Sequence, residues 1–240
     1  MKLLTVDTST TACSVALTDD GRLLGEYLLN LDRTLSERLI RSIDMLLKDA
    51  GLAVADLDGL GVALGPGSFT GLRIGVATVK GMALATGKPV AGFSSLAMLA
   101  MNLPWAAYPV CPMFDARKHE VYAAVYRCRD LPEPVIADSV APPDAFLERV
   151  TVPAIFIGEG AVRYREVITS RLGDRALFAP PSVHMPRASA GALLVLVAFA
   201  KGSIIPLAGL APVYIRPSEA ELAMSSNFAQ PSTTSPANMA

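Results

Sequence analysis

The sequence predicts an α/β protein of two related lobes, and three observations carry that prediction. Short β-rich runs alternate with segments of helical period along most of the chain. Each half opens with an apolar strand that ends in an aspartate and leads into a hairpin: Asp7 after Leu3 to Val6, and Asp115 after Tyr108 to Phe114. Between the halves, Asn102-Leu103-Pro104 interrupts the pattern. The reading is a duplicated α/β lobe, with residues 1–102 as the N-terminal lobe and 103–222 as the C-terminal lobe. From about residue 223 to 240 the chain is Pro/Ser/Thr-rich and aperiodic, which predicts a disordered tail.

The elements follow in order. Strands over 3–7, 12–17 and 22–29 form a meander, joined by Thr8-Ser9-Thr10-Thr11 and by the Asp19-Asp20-Gly21 turn. Thr34 and Glu37 fit a capping box, and Leu35, Leu39, Ile40, Ile43, Leu46 and Leu47 follow at helical spacing until Gly51. A strand over 57–64, a helix over 69–86, a strand over 89–92 and a helix from 95, capped by Ser94, complete the first lobe. The second lobe reads as strands at 108–114, 120–126 and 154–157, with helices at 142–150, 161–172 and 187–201. The last helix, strongly apolar, is a candidate to pack back on the N-terminal lobe.

Apolar residues make up 52% of the chain and charged residues 18%, enough to bury a sizeable core. The net charge of -1 argues against a chain that holds nucleic acid alone, so any such role is expected to be shared with a partner. Cys13, Cys111 and Cys128 sit in apolar runs at no metal-binding spacing, which predicts buried free thiols. Mean hydropathy is +0.41, yet the longest apolar run, 190–200, is far short of the roughly 18 residues of a membrane span. The early Asp7 does not suit a signal peptide, so the expectation is a soluble, cytoplasmic protein with no membrane partner.

The stretch Gly65-Pro66-Gly67-Ser68-Phe69-Thr70-Gly71-Leu72-Arg73-Ile74-Gly75 joins a strand to a helix start. One reading is an anion cradle, with backbone N–H groups, Ser68 and Thr70 facing a phosphate. The loop lacks the Gly-Lys-Ser/Thr ending of a P-loop, however. The other reading is a packing element, in which glycines let backbones approach and the thin helix 69–86 meets another helix. Arg117, Lys118 and His119 form a small basic cluster, and Gly158-Glu159-Gly160 reads as a strand-to-helix turn or as a nucleotide-side loop.

Four blocks occur in fixed order: Asp7-Thr8-Ser9-Thr10-Thr11-Ala12-Cys13-Ser14-Val15-Ala16-Leu17, then Gly65 to Gly75, then Asp115-Ala116-Arg117-Lys118-His119-Glu120-Val121-Tyr122, then Pro212-Val213-Tyr214-Ile215-Arg216-Pro217-Ser218-Glu219-Ala220-Glu221. In combination they resemble the bacterial TsaB (YeaZ) family, over roughly residues 1–221. The resemblance implies an actin/Hsp70/hexokinase-like (ribonuclease H-like) fold, two lobes with mixed sheets flanked by helices. It also implies a part in making threonylcarbamoyladenosine at position 37 of tRNA, as a supporting subunit that binds and activates the paralogous transferase TsaD. A small ATPase, TsaE, would act on that pair, a homodimer is open to the isolated chain, and tRNA would be engaged only through the complex.

Paralogous TsaD chains carry a His-x-x-x-His metal pair on the first long helix. Here that helix has none, and His119 and His184 are the chain's two histidines, so no metal site is expected. No catalytic residue is assigned to the chain alone. Candidate cofactor-binding residues are Asp7, Thr8, Ser9, Gly67, Ser68 and Asp115, since ATPases of this fold use two aspartates facing each other across a cleft. The competing reading has Asp7 and Asp115 as strand-end residues that bond the following amides. ATP or ADP at a partner interface stays open, as does an ATP-binding or phosphoryl-transfer enzyme of the same fold. Leu35, Leu39, Ile43, Leu46, Gly71, Gly75 and Val79 are the expected partner interface, on the two N-lobe helices.

Overall fold

The computed structural model describes residues 1–31 and 34–216. The expected disorder over 223–240 and the end of the fourth block, Pro217 to Glu221, lie outside the described residues. The first half contains β1 (Lys2–Asp7), β2 (Cys13–Asp19), β3 (Arg22–Leu29), α1 (Leu35–Asp49), β4 (Gly59–Gly65), α2 (Phe69–Thr86), β5 (Val90–Ser94) and α3 (Ser95–Ala100). The second contains β6 (Val110–Arg117), β7 (Glu120–Cys128), β8 (Pro132–Ala141), α4 (Pro143–Leu147), β9 (Ala154–Ile157), α5 (Glu159–Arg163), α6 (Arg165–Leu172), β10 (Ala176–Phe178) and α7 (Ala188–Ala200).

Two five-stranded mixed sheets result, ordered β3-β2-β1-β4-β5 and β10-β9-β6-β7-β8. Matched strand for strand they have one topology: three antiparallel strands first, then two parallel additions. The duplication, faint in sequence, is therefore explicit in the pairing.

Local chemistry explains most boundaries. Gly51 sits in the left-handed region after α1, and Gly51 N and Leu52 N donate to Lys48 O and Leu47 O, a Schellman motif. Ser94 Oγ accepts from Ala97 N at 3.2 Å and starts α3. Thr34 is the N-cap of α1, but its hydroxyl makes no capping bond, so the expected capping box is not formed. Strands β8 and β10 are absent from the sequence reading, and the helix expected over 161–172 is two helices meeting at Tyr164. Pro132 and Pro134 disguise β8; an edge strand tolerates them because one side of its ladder is unpaired.

The layers stack α1/α2, first sheet, α3/α7, second sheet, α4/α5/α6. Leu4 and Val6 of β1 share a core with Leu39, Ile43, Leu46, Val76 and Val79 of α1 and α2. On the opposite face of β1, Leu3 joins Ala63, Phe93 and α7's Val195. Helix α3 bridges to β6 and β7 through Leu96, Leu99, Val110 and Phe114, and Phe146 and Ile168 cover the far face.

Helix α7 lies close on the first sheet because glycines make room. A Cβ on Gly59 would overlap the Phe199 ring, and one on Gly61 would overlap Val195. The first sheet also supplies the caps that α7 lacks in its own sequence. Ala188 N donates to Ser14 Oγ at 2.8 Å and Ser189 N to Glu26 Oε1 at 2.9 Å. Glu26 also receives Arg187 Nη2 at 2.7 Å, so an almost buried carboxylate is matched by a helix N-terminus and a guanidinium.

Candidate functional site: an interlobe cleft

A cleft of about 870 Å³ opens between the lobes. Ser9, Arg38, Gly67, Ser68 and Phe69 line it from the first lobe, and Phe114, Asp115, Arg117, Glu159 and Arg163 from the second. The four sequence blocks converge on this region. Segment 210–216 runs along the first lobe, with Val213 N donating to Leu64 O at 2.8 Å. Tyr214 stacks on Phe69 at 4.8 Å between centroids, and Arg73 lies over Phe69 while its Nε donates to Tyr214 Oη at 2.9 Å. Arg216 then reaches the second lobe, donating to Ala116 O at 3.2 Å and pairing with Glu120 at 3.1 Å.

The glycine loop folds onto the first block. Ser68 N donates to Ser9 O at 2.6 Å, Gly71 N to Ser68 Oγ at 3.2 Å, and Thr8 Oγ1 to Gly71 O at 2.8 Å. A Cβ on Gly67 would overlap Ser9 O, one on Gly71 the Thr8 carbonyl, and one on Gly75 the Thr8 hydroxyl. These glycines are required for close packing between α2 and the loop after β1. The packing reading thus accounts for Gly67, Gly71 and Gly75.

Of the six candidate cofactor residues, Ser9, Gly67, Ser68 and Asp115 line the cleft, while Asp7 and Thr8 do not. Asp7 is fully buried, and burial pushes its carboxyl up to about 6. Its Oδ1 accepts from Ser9 N at 3.1 Å, and its Oδ2 has no partner among the described residues. Asp115 makes the same local turn, accepting from Arg117 N at 3.1 Å. Its other oxygen is taken by Arg163 Nη1 at 2.7 Å. Nearby Glu159 is raised above the usual carboxylate range by burial and then by the Asp115 charge.

Strand parity separates the two aspartates. Leu3, Thr5 and Asp7 alternate with Leu4 and Val6, which places Asp7 on the α7 side of its sheet. Cys111 and Met113 pack toward α4 and α6, and Asp115 shares their parity, consistent with its contacts to Arg163 and Tyr164. The aspartates thus occupy opposite faces of equivalent sheets, because one residue of offset along a strand reverses the side. The two-carboxylate metal and nucleotide site of ATPases of this fold does not fit this arrangement. One carboxylate lies behind the wall and the other already holds a guanidinium. Among the described residues no group of three or more His, Cys, Asp or Glu is placed to hold a metal ion.

The remaining features resolve similarly. Lys118 and His119 form a two-residue hairpin loop at positive φ, as in a type I′ turn, at the cleft rim. Gly158 starts α5 at positive φ, and its N–H donates to His184 Nδ1 at 3.0 Å, so the Gly158-Glu159-Gly160 stretch is a strand-to-helix turn. Cys13, Cys111 and Cys128 are buried free thiols, Cys13 pushed up to about 11 by burial. No helix among the described residues is long and apolar enough to cross a membrane.

The expected partner-interface side chains need correction. Leu39, Ile43, Leu46 and Val79 belong to the first lobe's own core, and Leu35 is half-buried beside it. Gly71 and Gly75 face Thr8 within the chain. The apolar stripe of α1 is used up by the sheet beneath it, so surface residues of the two helices are their neighbours Ile40, Ala77, Gly81 and Leu84. Sequence reasoning also passed over Arg38. It lies on the buried side of α1, donating to Leu29 O and Thr11 O at 3.1 Å each, and lines the cleft. A charged residue within an apolar stripe was the signal for it.

Comparison with known proteins places this geometry. The TsaD family model, described as tRNA N6-adenosine threonylcarbamoyltransferase, matches residues 23–168. The chain is 32% identical over 225 residues to the tRNA threonylcarbamoyladenosine biosynthesis protein TsaB of Bacillus subtilis, covering 92% of this chain and 96% of that protein. The structure of YeaZ from Pseudomonas aeruginosa superposes with a TM-score of 0.75 at 34% identity, covering 89% of this chain and 99% of that one. At 13% identity and a TM-score of 0.52, component A of the Acidaminococcus fermentans (R)-2-hydroxyglutaryl-CoA dehydratase shares the fold alone, over 83% of this chain and 99% of that one. The fold is that of the actin/Hsp70/hexokinase-like ATPases, and with relatives this similar over nearly their whole length, the chain belongs to the TsaB (YeaZ) family.

Proposed function

We propose that this chain is a supporting subunit of the tRNA N6-threonylcarbamoyladenosine transferase, binding and activating TsaD rather than carrying out the transfer. The family's place in threonylcarbamoyladenosine biosynthesis supports the pathway. The observation that carries the supporting role is the state of the cleft: the glycine loop is bonded to Ser9, Asp115 is paired with Arg163, and Asp7 is buried behind them. With Asp115 held by Arg163 and Asp7 off the cleft lining, the pair of carboxylates that would organise metal and nucleotide is not assembled, which supports a structural role.

In this reading TsaD docks on the outer faces of α1 and α2. Ile40 and Leu84 are exposed there at 57% and 67%, and Ala77, Gly81 and Ala85 give α2 a thin surface that a partner helix can approach. TsaE would act on the assembled pair, tRNA would be held by the complex, and the same face would support a homodimer of the isolated chain.

The test is co-purification with TsaD, followed by a modified-tRNA assay with each subunit omitted in turn. Expected are modification only when both are present and at least a ten-fold loss of pairing in the Ile40→Asp/Leu84→Asp variant, with its melting temperature kept. Modification of tRNA by the isolated, metal-free chain would overturn the reading. So would ATP binding at millimolar concentration that Asp7→Ala abolishes, which would favour a phosphoryl-transfer enzyme.

A further inference from the structure

At the opposite end of the second sheet from the cleft lies a separate concavity of about 480 Å³. Strand β6 runs between them, so the two sites are roughly 20–25 Å apart at about 3.3 Å per residue. Its walls are Trp105, Tyr108, Arg127 and Arg129, with Pro109 and Cys128 between them. Trp105 is the chain's single tryptophan, and it is 66% exposed. Its backbone is in the left-handed region at φ 59°, a conformation that costs a non-glycine residue free energy and persists where its surroundings impose it. Here Trp105 N donates to Cys128 O at 3.0 Å, and Cys128 Sγ donates to Ala100 O at 3.4 Å. The loop is thereby fastened to a buried strand end while the indole stands in solvent.

Arg127, the penultimate residue of β7, and Arg129, the first residue past its end, flank Cys128, and both line the concavity. Glu133 is Arg127's register partner on β8, but neither arginine is within ion-pair distance of a carboxylate among the described residues. Among the described residues no acidic side chain lines the concavity. An exposed indole and phenol beside two guanidiniums suit a ligand with flat apolar faces and repeated negative charge.

We propose that the Trp105 concavity is a stacking platform for single-stranded RNA, with bases on Trp105 and Tyr108 and phosphates on Arg127 and Arg129. This goes beyond the supporting role proposed above and does not depend on the TsaD-binding face. The chain's net charge of -1 keeps the affinity of the isolated protein low, so the platform would add to contacts made elsewhere in a complex.

Because Trp105 is the sole tryptophan, its fluorescence reports this site directly. The full-length chain is titrated with a single-stranded RNA decamer, and with the same sequence as a duplex, at 50 and 200 mM salt. Expected is saturable quenching by the single strand only, with a log-log salt slope near −1.4 for two phosphates. Anisotropy of a labelled decamer should show about five-fold or greater weakening in Trp105→Ala, largely rescued in Trp105→Phe. Arg127→Ala/Arg129→Ala should weaken binding and remove most of the salt slope. Unchanged melting temperatures would show these exposed variants to be folded. No quenching up to millimolar decamer, equal quenching by duplex, or binding indifferent to the arginine pair would each overturn the proposal. Loss of TsaD pairing in Trp105→Ala with RNA binding intact would assign the surface to a protein partner and overturn it too. TsaD pairing and tRNA modification are read separately, so failure here leaves the supporting role standing.

Discussion

Asp7 shows how one side chain can mark a fold while opposing its stability. The carboxyl is fully buried and raised from 3.8 to about 6, chiefly by desolvation and against the hydrogen bonds from Ser9. A folded-state value above the unfolded one means the native protein holds the proton more tightly. Asp7 therefore favours folding fully below pH 3.8, and that contribution is lost as pH rises through about 6. The difference corresponds to about 3 kcal/mol. Asp7→Asn keeps an acceptor for Ser9 N and removes the charge, at the cost of an amide in the place of the unpartnered Oδ2. By urea unfolding at pH 7.5 the variant should match wild type or exceed it by up to about 3 kcal/mol. The wild-type-minus-variant difference should become more favourable to wild type toward pH 4. A loss of more than about 1 kcal/mol at pH 7.5 would mean that the carboxylate has a cationic partner and contradict the account. Sequence showed both aspartates and their strand-end position. Which sheet face each occupies was not legible, since parity depends on where the strand enters its layer.

Helix α2 gives the corresponding lesson for an element. Its glycines look alike in sequence but have two different environments. Gly71 and Gly75 touch Thr8, whereas a Cβ on Gly81 meets no atom of the described residues within 4 Å. Gly71→Ala should therefore destabilise by about 1–3 kcal/mol, because the obstacle is a backbone carbonyl that cannot rotate away. Gly81→Ala should stabilise by about 1 kcal/mol through lower unfolded-state entropy and better helix propensity. Urea midpoints of the two variants check this, and a neutral Gly71→Ala would show that the helix does not depend on that contact. The extents of α1, α2 and α7 were legible because strong periodicity or an unbroken apolar run specifies them. Strand β8 was not, because its prolines and exposed positions carry no clear alternation and its pairing with β7 supplies what local sequence lacks. The break at Tyr164 was hidden because the 161–172 segment contains no glycine or proline to signal it.

The whole molecule depends on a helix that arrives late. Residues 1–102 contain every strand of the first sheet, yet one face of that sheet is covered by α7, contributed after the entire second lobe. Leu3, Phe93 and Met98 would be uncovered without it. At about 1.5–3 kcal/mol each, that removes on the order of 5–9 kcal/mol, comparable to the roughly 5–15 kcal/mol net stability of a domain. The ends of the intervening lobe lie close together, since Asn102 Nδ2 donates to Val183 O and Met185 O at 2.9 and 2.8 Å. The second lobe thus has the geometry of an insertion between α3 and α7. We predict that residues 1–102 alone will not unfold cooperatively, and that joining them through a short Gly/Ser linker to residues 187–216 will restore a single urea transition. The restored unit should be less stable than the full chain, because Leu96 and Leu99 of α3 lose their cover from β6 and β7. Its fold should further depend on Glu26, whose carboxylate caps α7 across the join. Glu26→Ala in the linked unit should abolish the transition by leaving Arg187 and Ser189 N without their acceptor, with only Ser14 still capping α7. Cooperative unfolding of residues 1–102 by themselves would show that α7 is an addition to the first lobe rather than part of it.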